Sequence, residues 1–198
     1  PGVSELDLAA EVEYRMRQLG AEKPAFETIV AFGRRSALVH ASPTAGKLAA
    51  GDPVLIDMGA MRDGYASDMT RVVFTRRPTK AFQRLYRDVL EAQLAAIDRV
   101  REGVTASSVD EAARRVLRAC GLGRWFVHST GHGLGLEVHE IPRLGKMDRT
   151  LLQAGVAVTV EPGVYLQKLG GIRIEDTLVV TRNGCEILTP TSKELLVI

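Results

Sequence analysis

The chain has 198 residues, of which 45% are hydrophobic and 25% charged, an ordinary composition for a globular domain. Its 26 basic and 24 acidic side chains leave a net charge of +2, which argues against the strongly basic surface of a nucleic-acid-binding protein. No apolar run reaches the ~18 residues of a membrane helix. Cys120 and Cys185 are isolated, and no secretory signal is present. We therefore expect a reduced cytoplasmic protein that binds neither nucleic acid nor membrane.

The two halves of the chain begin alike. Gly2-Val3-Ser4 precedes a predicted helix with a capping signature at Ser4 and Asp7, and Gly103-Val104-Thr105 precedes a second helix. Apolar spacing between positions 78 and 102 predicts a longer helix with one buried face. We expect one domain, 1–198, with pseudo-repeated halves of about 1–102 and 103–198. Because the chain opens with Pro1 and not with methionine, we also expect a separate N-terminal domain upstream.

Each half also predicts two strands that carry carboxylates. In the first half, strands at 54–59 and 66–74 flank a turn, so that Asp57 and Asp68 are expected opposite each other. In the second half, strands at 156–161 and 171–180 place Glu161 and Glu175 symmetrically. One such carboxylate can belong to an outward polar face. Four on two hairpins favour a shared site, since buried charges must be paired or bound to metal.

The histidines point to the same kind of site. Of the four, His128, His132 and His139 fall close together among glycines, and the fourth is His40. Carboxylates and imidazoles without thiolates suit divalent Mn, Co or Zn ions. Four carboxylates would neutralise two such ions, and a water bridging them could ionise near neutral pH and attack a carbonyl. The predicted fold class is α+β, with curved antiparallel sheet inside and helices outside.

These motifs resemble the metallopeptidases with the pita-bread fold, which include methionine aminopeptidase, aminopeptidase P and prolidase. The resemblance covers essentially the whole chain and implies a pseudo-two-fold symmetric sheet. It rests on the segments IDMGA at 56–60, GYASDMTR at 64–71, TGHGLG at 130–135, VHE at 138–140, VEPG at 160–163 and RIED at 173–176.

The resemblance implies a role for each site residue. One ion is held by Asp57, the other by His132 and Glu161, and Asp68 and Glu175 bridge both; manganese is the favoured metal. The same glutamate, Glu161, accepts the proton of the bridging water. The resemblance also implies that His139 stabilises the tetrahedral intermediate or donates to the substrate carbonyl. His40 is implied in catalysis and substrate binding, and His128 in the substrate pocket. Arg173 and Thr159 are implied to orient the metal ligands.

Within the family, the motifs are most similar to the proline-directed branch, so the implied reaction is hydrolysis of an Xaa-Pro bond. Arg143, four residues after His139, lies where the resemblance implies that dipeptidases present a cation to the substrate carboxylate, which favours a dipeptidase. The alternative is a surface arginine after Pro142. The alternatives are an aminopeptidase P acting on longer peptides, a methionine aminopeptidase, a creatinase-like hydrolase without the full metal set, and a non-catalytic binding module. The native metal, the preferred peptide length and a homodimer of the full-length protein stay open.

Overall fold

The computed structural model describes residues 2–198, so Pro1, on which the expectation of an upstream domain depended, lies outside the described residues. The α-helices are α1 Glu5–Gln18, α2 Lys80–Arg99 and α3 Ala106–Ala119, with short 3-10 helices at Gly33–Ala37 and Gly123–Trp125. The strands are β1 Lys23–Pro24, β2 Ile29–Phe32, β3 Pro53–Met58, β4 Ala60–Arg62, β5 Tyr65–Ala66, β6 Met69–Phe74, β7 Gly131–Gly133, β8 Glu140–Leu144, β9 Ala157–Val160, β10 Gly163–Leu166, β11 Gly170–Arg173, β12 Asp176–Val180, β13 Cys185–Ile187 and β14 Leu196–Val197.

The predicted helix signals are confirmed. Helix α1 begins with a capping box, in which Asp7 N donates to Ser4 Oγ and Ser4 N donates to the Asp7 carboxylate. Helix α3 starts after Thr105 at the matching place in the second half, although Thr105 makes no side-chain cap. Helix α2 buries one face along its whole length, as its apolar spacing predicts.

Two sheets form the body of the fold. The first has the strand order β14-β6-β3-β2, and the second has the order β13-β12-β9-β7-β8. Their pairs are antiparallel except for β14 and β6. Apolar side chains of β3, β6, β9, β11 and β12 pack with α2 and α3 in the main core, while α1 covers other residues of β2 and β3 in a smaller cluster. The predicted α+β class is confirmed.

The expected pairing of Asp57 with Asp68 is wrong. In the ladder between β3 and β6, Asp57 lies opposite Thr70. The reason is the turn between β4 and β5, where Asp63 and Gly64 both have positive φ and Arg62 pairs with Tyr65. A two-residue turn of this kind sets a register in which Asp68 lies opposite Gly59, at the break between the two parts of the hairpin.

The second hairpin opens at its glutamates. Strand β9 pairs with β12, with Val160 opposite Asp176, and β10 pairs with β11, with Gly163 opposite Arg173. Because the register is the same on both sides of the interruption, Glu161 and Glu175 lie opposite each other where the ladder opens. The predicted symmetric placement of these two glutamates is confirmed, but the expected strand at 171–180 is two strands in different sheets.

Candidate active site

The interrupted hairpins of both halves open into one cavity of about 720 Å³. Its walls include every proposed metal ligand, namely Asp57, Asp68, His132, Glu161 and Glu175. Asp68, His132 and Glu175 each offer one ligand atom, and these atoms lie within 4.8 Å of one another. His132 Nε2 is also 3.2 Å from Glu161 Oε1 and 3.7 Å from Asp68 Oδ2. The fold thus brings residues from five separate motifs of the sequence into one cavity.

The unused oxygen atoms of this cluster fit a cation. Asp57 Oδ1, Asp68 Oδ1 and Glu175 Oε1 are buried and have no hydrogen-bond partner within the described residues. A buried carboxylate oxygen without a partner carries a large desolvation cost, which a bound metal ion removes. The partnered oxygens are held in place, since Arg173 Nη2 donates to Asp57 Oδ2 at 2.5 Å and Thr70 Oγ1 donates to Glu175 Oε2 at 2.6 Å. The donor set therefore fits hard or borderline divalent metals.

Without a metal, the carboxylates repel one another and titrate abnormally. Burial, together with the charges of Asp57 and Glu161, raises the pKa of Asp68 to about 9. Burial and the charge of Asp68 likewise raise the pKa of Glu175 well above its usual value. Burial acts in the same direction on Glu161, but the hydrogen bond from His132 and nearby positive charges hold its pKa below the usual value. The cluster is a strongly attractive environment for cations.

The four histidines occupy different environments around the cavity. His132 Nδ1 lies 3.0 Å from Gly133 O, which directs Nε2 towards the carboxylates. His139 packs edge-on against His132 with 4.4 Å between ring centroids and is exposed to the cavity, as is His40. Burial and the charge of His132 lower the pKa of His139, so its imidazole is mainly neutral at pH 7.

His128 differs from the other histidines because both ring nitrogens have protein partners. Nδ1 lies 2.8 Å from Ser129 O, and Nε2 lies 2.8 Å from the Tyr165 hydroxyl. A carbonyl only accepts, so Nδ1 carries the proton and Tyr165 donates to Nε2. Burial lowers the pKa of His128, in agreement with a neutral ring. His128 lines the cavity as expected, but both of its ring nitrogens already have protein partners.

Tyr165 and Thr70 are site residues that the sequence analysis missed. Tyr165 is buried, accepts from Arg173 Nη1 at 2.8 Å, and has its pKa raised to about 12 by burial. Thr70 Oγ1 accepts from Arg173 Nε at 3.1 Å while donating to Glu175. A signal for both existed in the even spacing that strand alternation requires, since Thr70 lies two residues after Asp68 and Tyr165 four residues after Glu161.

Thr159 and Arg143 are both neighbours of His132. Thr159 is buried, accepts from His132 N at 3.1 Å and donates to Glu161 Oε1 at 3.3 Å. Arg143 lies opposite His132 in the ladder of β7 and β8 and lines the cavity together with His139. Its Nε donates to Ser129 Oγ at 3.2 Å, and it has no acidic partner within residues 2–198. An exposed, unpaired guanidinium here can bind an anionic group of a substrate.

The α+β fold with paired, interrupted hairpins around a buried carboxylate and histidine cluster defines the catalytic domain of a metallopeptidase. The chain belongs to metallopeptidase family M24, whose sequence model matches residues 1–182, and its fold is the pita-bread fold of that family. Cys120 and Cys185 are both free, as expected. None of the helices within residues 2–198 combines the length and hydrophobicity needed to cross a bilayer.

Known proteins similar to this chain include prolidases and an aminopeptidase. The Xaa-Pro dipeptidase of Pyrococcus furiosus is 47% identical over 195 residues, which are 98% of this chain and 56% of the relative. A solved Xaa-Pro dipeptidase from Bacillus anthracis superposes with a TM-score of 0.99 and 43% identity, covering 100% of this chain and 56% of that one. An X-Pro aminopeptidase from Thermotoga maritima superposes with a TM-score of 0.97 and 44% identity, covering 100% of this chain and 56% of that one. The chain therefore spans little more than half the length of these relatives.

Proposed function

We propose that this chain is the catalytic domain of a metal-dependent exopeptidase that hydrolyses the bond before proline, as a dipeptidase. The observation that carries the proposal is the position of Arg143, an unpaired cation on the wall of the same cavity as the carboxylate cluster. Support also comes from the relatives, several of which bear the name Xaa-Pro dipeptidase at 39–47% identity.

Two divalent ions, with manganese favoured, would be held by the five ligands in the manner the family implies. Asp57 would bind one ion, His132 and Glu161 the other, and Asp68 and Glu175 both. Bound there, the ions would polarise the scissile carbonyl and make a water nucleophilic near neutral pH. Thr159, Thr70 and Arg173 would keep the ligand oxygens in place through the hydrogen bonds they already make.

Four side chains of the chain then accept the proton, stabilise the developing charge and bind the substrate. Glu161 accepts the proton of the attacking water on a carboxylate oxygen, for which its lowered pKa keeps it ionised. His139 donates a hydrogen bond to the oxygen on which charge develops, and its exposed edge next to His132 leaves room for that contact. His40, which also lines the cavity, contacts the substrate and takes part in catalysis. Arg143 binds the terminal carboxylate of a dipeptide.

An aminopeptidase P activity on longer peptides is the second candidate, favoured by the similarity to the Thermotoga maritima enzyme. Turnover of Xaa-Pro dipeptides is to be compared with that of Xaa-Pro-Xaa peptides, each with and without Mn²⁺. We expect metal-dependent hydrolysis that prefers the dipeptide. A preference for the longer peptides would support the second candidate, and cleavage of Met-Ala peptides without cleavage of Xaa-Pro would contradict both.

A further inference from the structure

A buried ion pair lies directly behind the metal-binding cluster. Arg71 Nη2 donates to Asp176 Oδ1 at 2.7 Å, and both residues are almost fully buried. They follow Thr70 and Glu175 in the chain, and the proposed mechanism does not use either of them. Neither residue lines the cavity, so neither contacts a substrate there.

This pair holds the bridging ligand Glu175 through its backbone. Arg71 Nη1 donates to the backbone oxygens of both Thr70 and Glu175. Thr70 O in turn accepts from Glu175 N at 3.2 Å, and the Thr70 hydroxyl donates to the Glu175 carboxylate. The guanidinium of Arg71 therefore fixes the backbone positions of Thr70 and Glu175, on which the direction of the Glu175 side chain depends.

The C-terminal segment at 189–193 completes this arrangement. Arg71 donates to the backbone oxygens of Thr189, Thr191 and Ser192. The Asp176 carboxylate accepts from Thr189 Oγ1 at 3.1 Å and from Lys193 Nζ at 2.7 Å. The family match ends at residue 182, so this segment lies beyond the part of the chain that the family model matches.

Helix α2 anchors the segment independently of the Lys193 side chain. The Tyr86 hydroxyl donates to Lys193 O at 3.1 Å and so holds the segment. Gln93 Nε2 donates to Asp176 Oδ2 at 2.8 Å and holds the carboxylate that the segment contacts. Removing the Lys193 ammonium group therefore leaves the segment attached. Without this ammonium group, Asp176 keeps only one of its two cationic partners, Arg71. The Asp176 carboxylate then attracts the Arg71 guanidinium more strongly, and this is the group that also holds the Glu175 backbone.

We propose that Lys193 and Thr189 are positioning residues for the metal centre, acting through the Asp176 and Arg71 pair on Glu175. The C-terminal segment then sets metal affinity without touching the metal or the substrate. The inference rests on the proposed function, because it requires that Glu175 binds metal. A partner one step removed from a ligand typically changes metal affinity by about 10- to 100-fold, and Lys193 is more remote, so we expect about 3- to 10-fold.

The test is calorimetric titration of the metal-free protein with Mn²⁺ at a temperature well below its unfolding. Lys193→Met should weaken Mn²⁺ binding by about 3- to 10-fold, and Lys193→Arg, which keeps the charge, should restore most of it. The matched control is Lys168→Met, since Lys168 is exposed and makes no ion pair within residues 2–198. Thr189→Val, which removes the hydroxyl that donates to Asp176 and accepts from Thr177 N, should weaken binding to a smaller extent.

The outcomes separate the two proposals. If wild-type protein binds no Mn²⁺, the proposed metal centre itself fails. If the wild-type protein and Lys193→Met bind Mn²⁺ equally well, the positioning role is overturned. The same conclusion holds if Lys193→Met lowers only the unfolding temperature of the metal-free protein and leaves the Mn²⁺ affinity unchanged. If Lys193→Met does not fold, Thr189→Val decides, and unchanged affinity in that variant rejects the inference.

Discussion

Arg173 and Asp57 lie 116 residues apart in the chain, yet the Arg173 Nη2 atom donates to Asp57 Oδ2 at 2.5 Å in the interior. The same guanidinium donates to Thr70 Oγ1 and to the Tyr165 hydroxyl. The nearby negative charges outweigh the effect of burial and hold the pKa of Arg173 well above its usual value, so it is always charged. Arg173 thus orients Asp57 directly and reaches Glu175 through the hydroxyl of Thr70.

Replacing Arg173 should therefore weaken metal binding. We expect Arg173→Met to lower Mn²⁺ affinity by about 10- to 100-fold, because Asp57 and Thr70 lose the donor that orients them. Arg173→Lys should recover only part of the affinity, since an ammonium cannot reach three partners in a plane. Titration calorimetry measures the effect, with the exposed Arg182→Lys as control. Equal affinity in wild type and Arg173→Met would contradict the orienting role.

Glu161→Gln should affect turnover more than metal binding. Glutamine keeps one ligating oxygen but accepts no proton, so kcat at saturating Mn²⁺ should fall by about 10²- to 10⁴-fold. The comparison needs kcat from Xaa-Pro hydrolysis and the Mn²⁺ affinity of the same preparation. A variant that turns over at the wild-type rate with metal bound would show that another group accepts the proton.

Arg143→Ala should separate dipeptide from longer substrates. If the guanidinium binds the dipeptide carboxylate, kcat/KM for Xaa-Pro dipeptides should fall about 10- to 100-fold, the effect of a charge-assisted pair worth about 1.5–3 kcal/mol. Tripeptides place a neutral amide at that point and should change little. Arg143→Lys should rescue part of the loss.

Two results would revise the role of Arg143. An equal fall for dipeptides and tripeptides would assign it a structural role, in keeping with its hydrogen bond to Ser129. No change for either substrate would mark it as a surface residue and favour an aminopeptidase P activity.

The metal-free protein should become less stable as the pH rises from 7 to 9. The pKa of Asp68 is about 9 in the folded state and near 3.8 when unfolded, so the native state retains a proton that the unfolded state has lost. A raised carboxyl pKa contributes stability that is full below about pH 4 and is lost as the pH rises through about 9. Unfolding temperatures in chelator should fall across this range, and Asp68→Asn should flatten the slope.

Added Mn²⁺ supplies the control for this pH dependence. The ion replaces the retained proton, so its stabilisation of the wild-type protein should be larger at pH 9 than at pH 7. Metal-free stability that stays level or rises between pH 7 and 9 would show that Asp68 is ionised in the folded protein.

The fold class and the five candidate ligands, which line one cavity, could be predicted from the sequence alone. The candidate ligands sit in short motifs, in which local backbone geometry sets which side chains share a strand face. The sequence also predicted that Glu161 and Glu175 are symmetric, because their hairpin keeps one register across its interruption. It misjudged the pairing of Asp57, because the register there depends on which two residues of the turn adopt positive φ.

How the motifs are held against one another depends on contacts that form only in the folded chain. The Tyr165 hydroxyl forms hydrogen bonds with both His128 and Arg173. The segment at 189–193, near the end of the chain, contacts Arg71 and Asp176. These contacts join residues from 8 positions apart, between Tyr165 and Arg173, to 120 positions apart, between Arg71 and Thr191. Their geometry follows from how the two halves pack, and neither the spacing within a motif nor the periodicity of a strand carries that information, because both describe the chain only over a few residues.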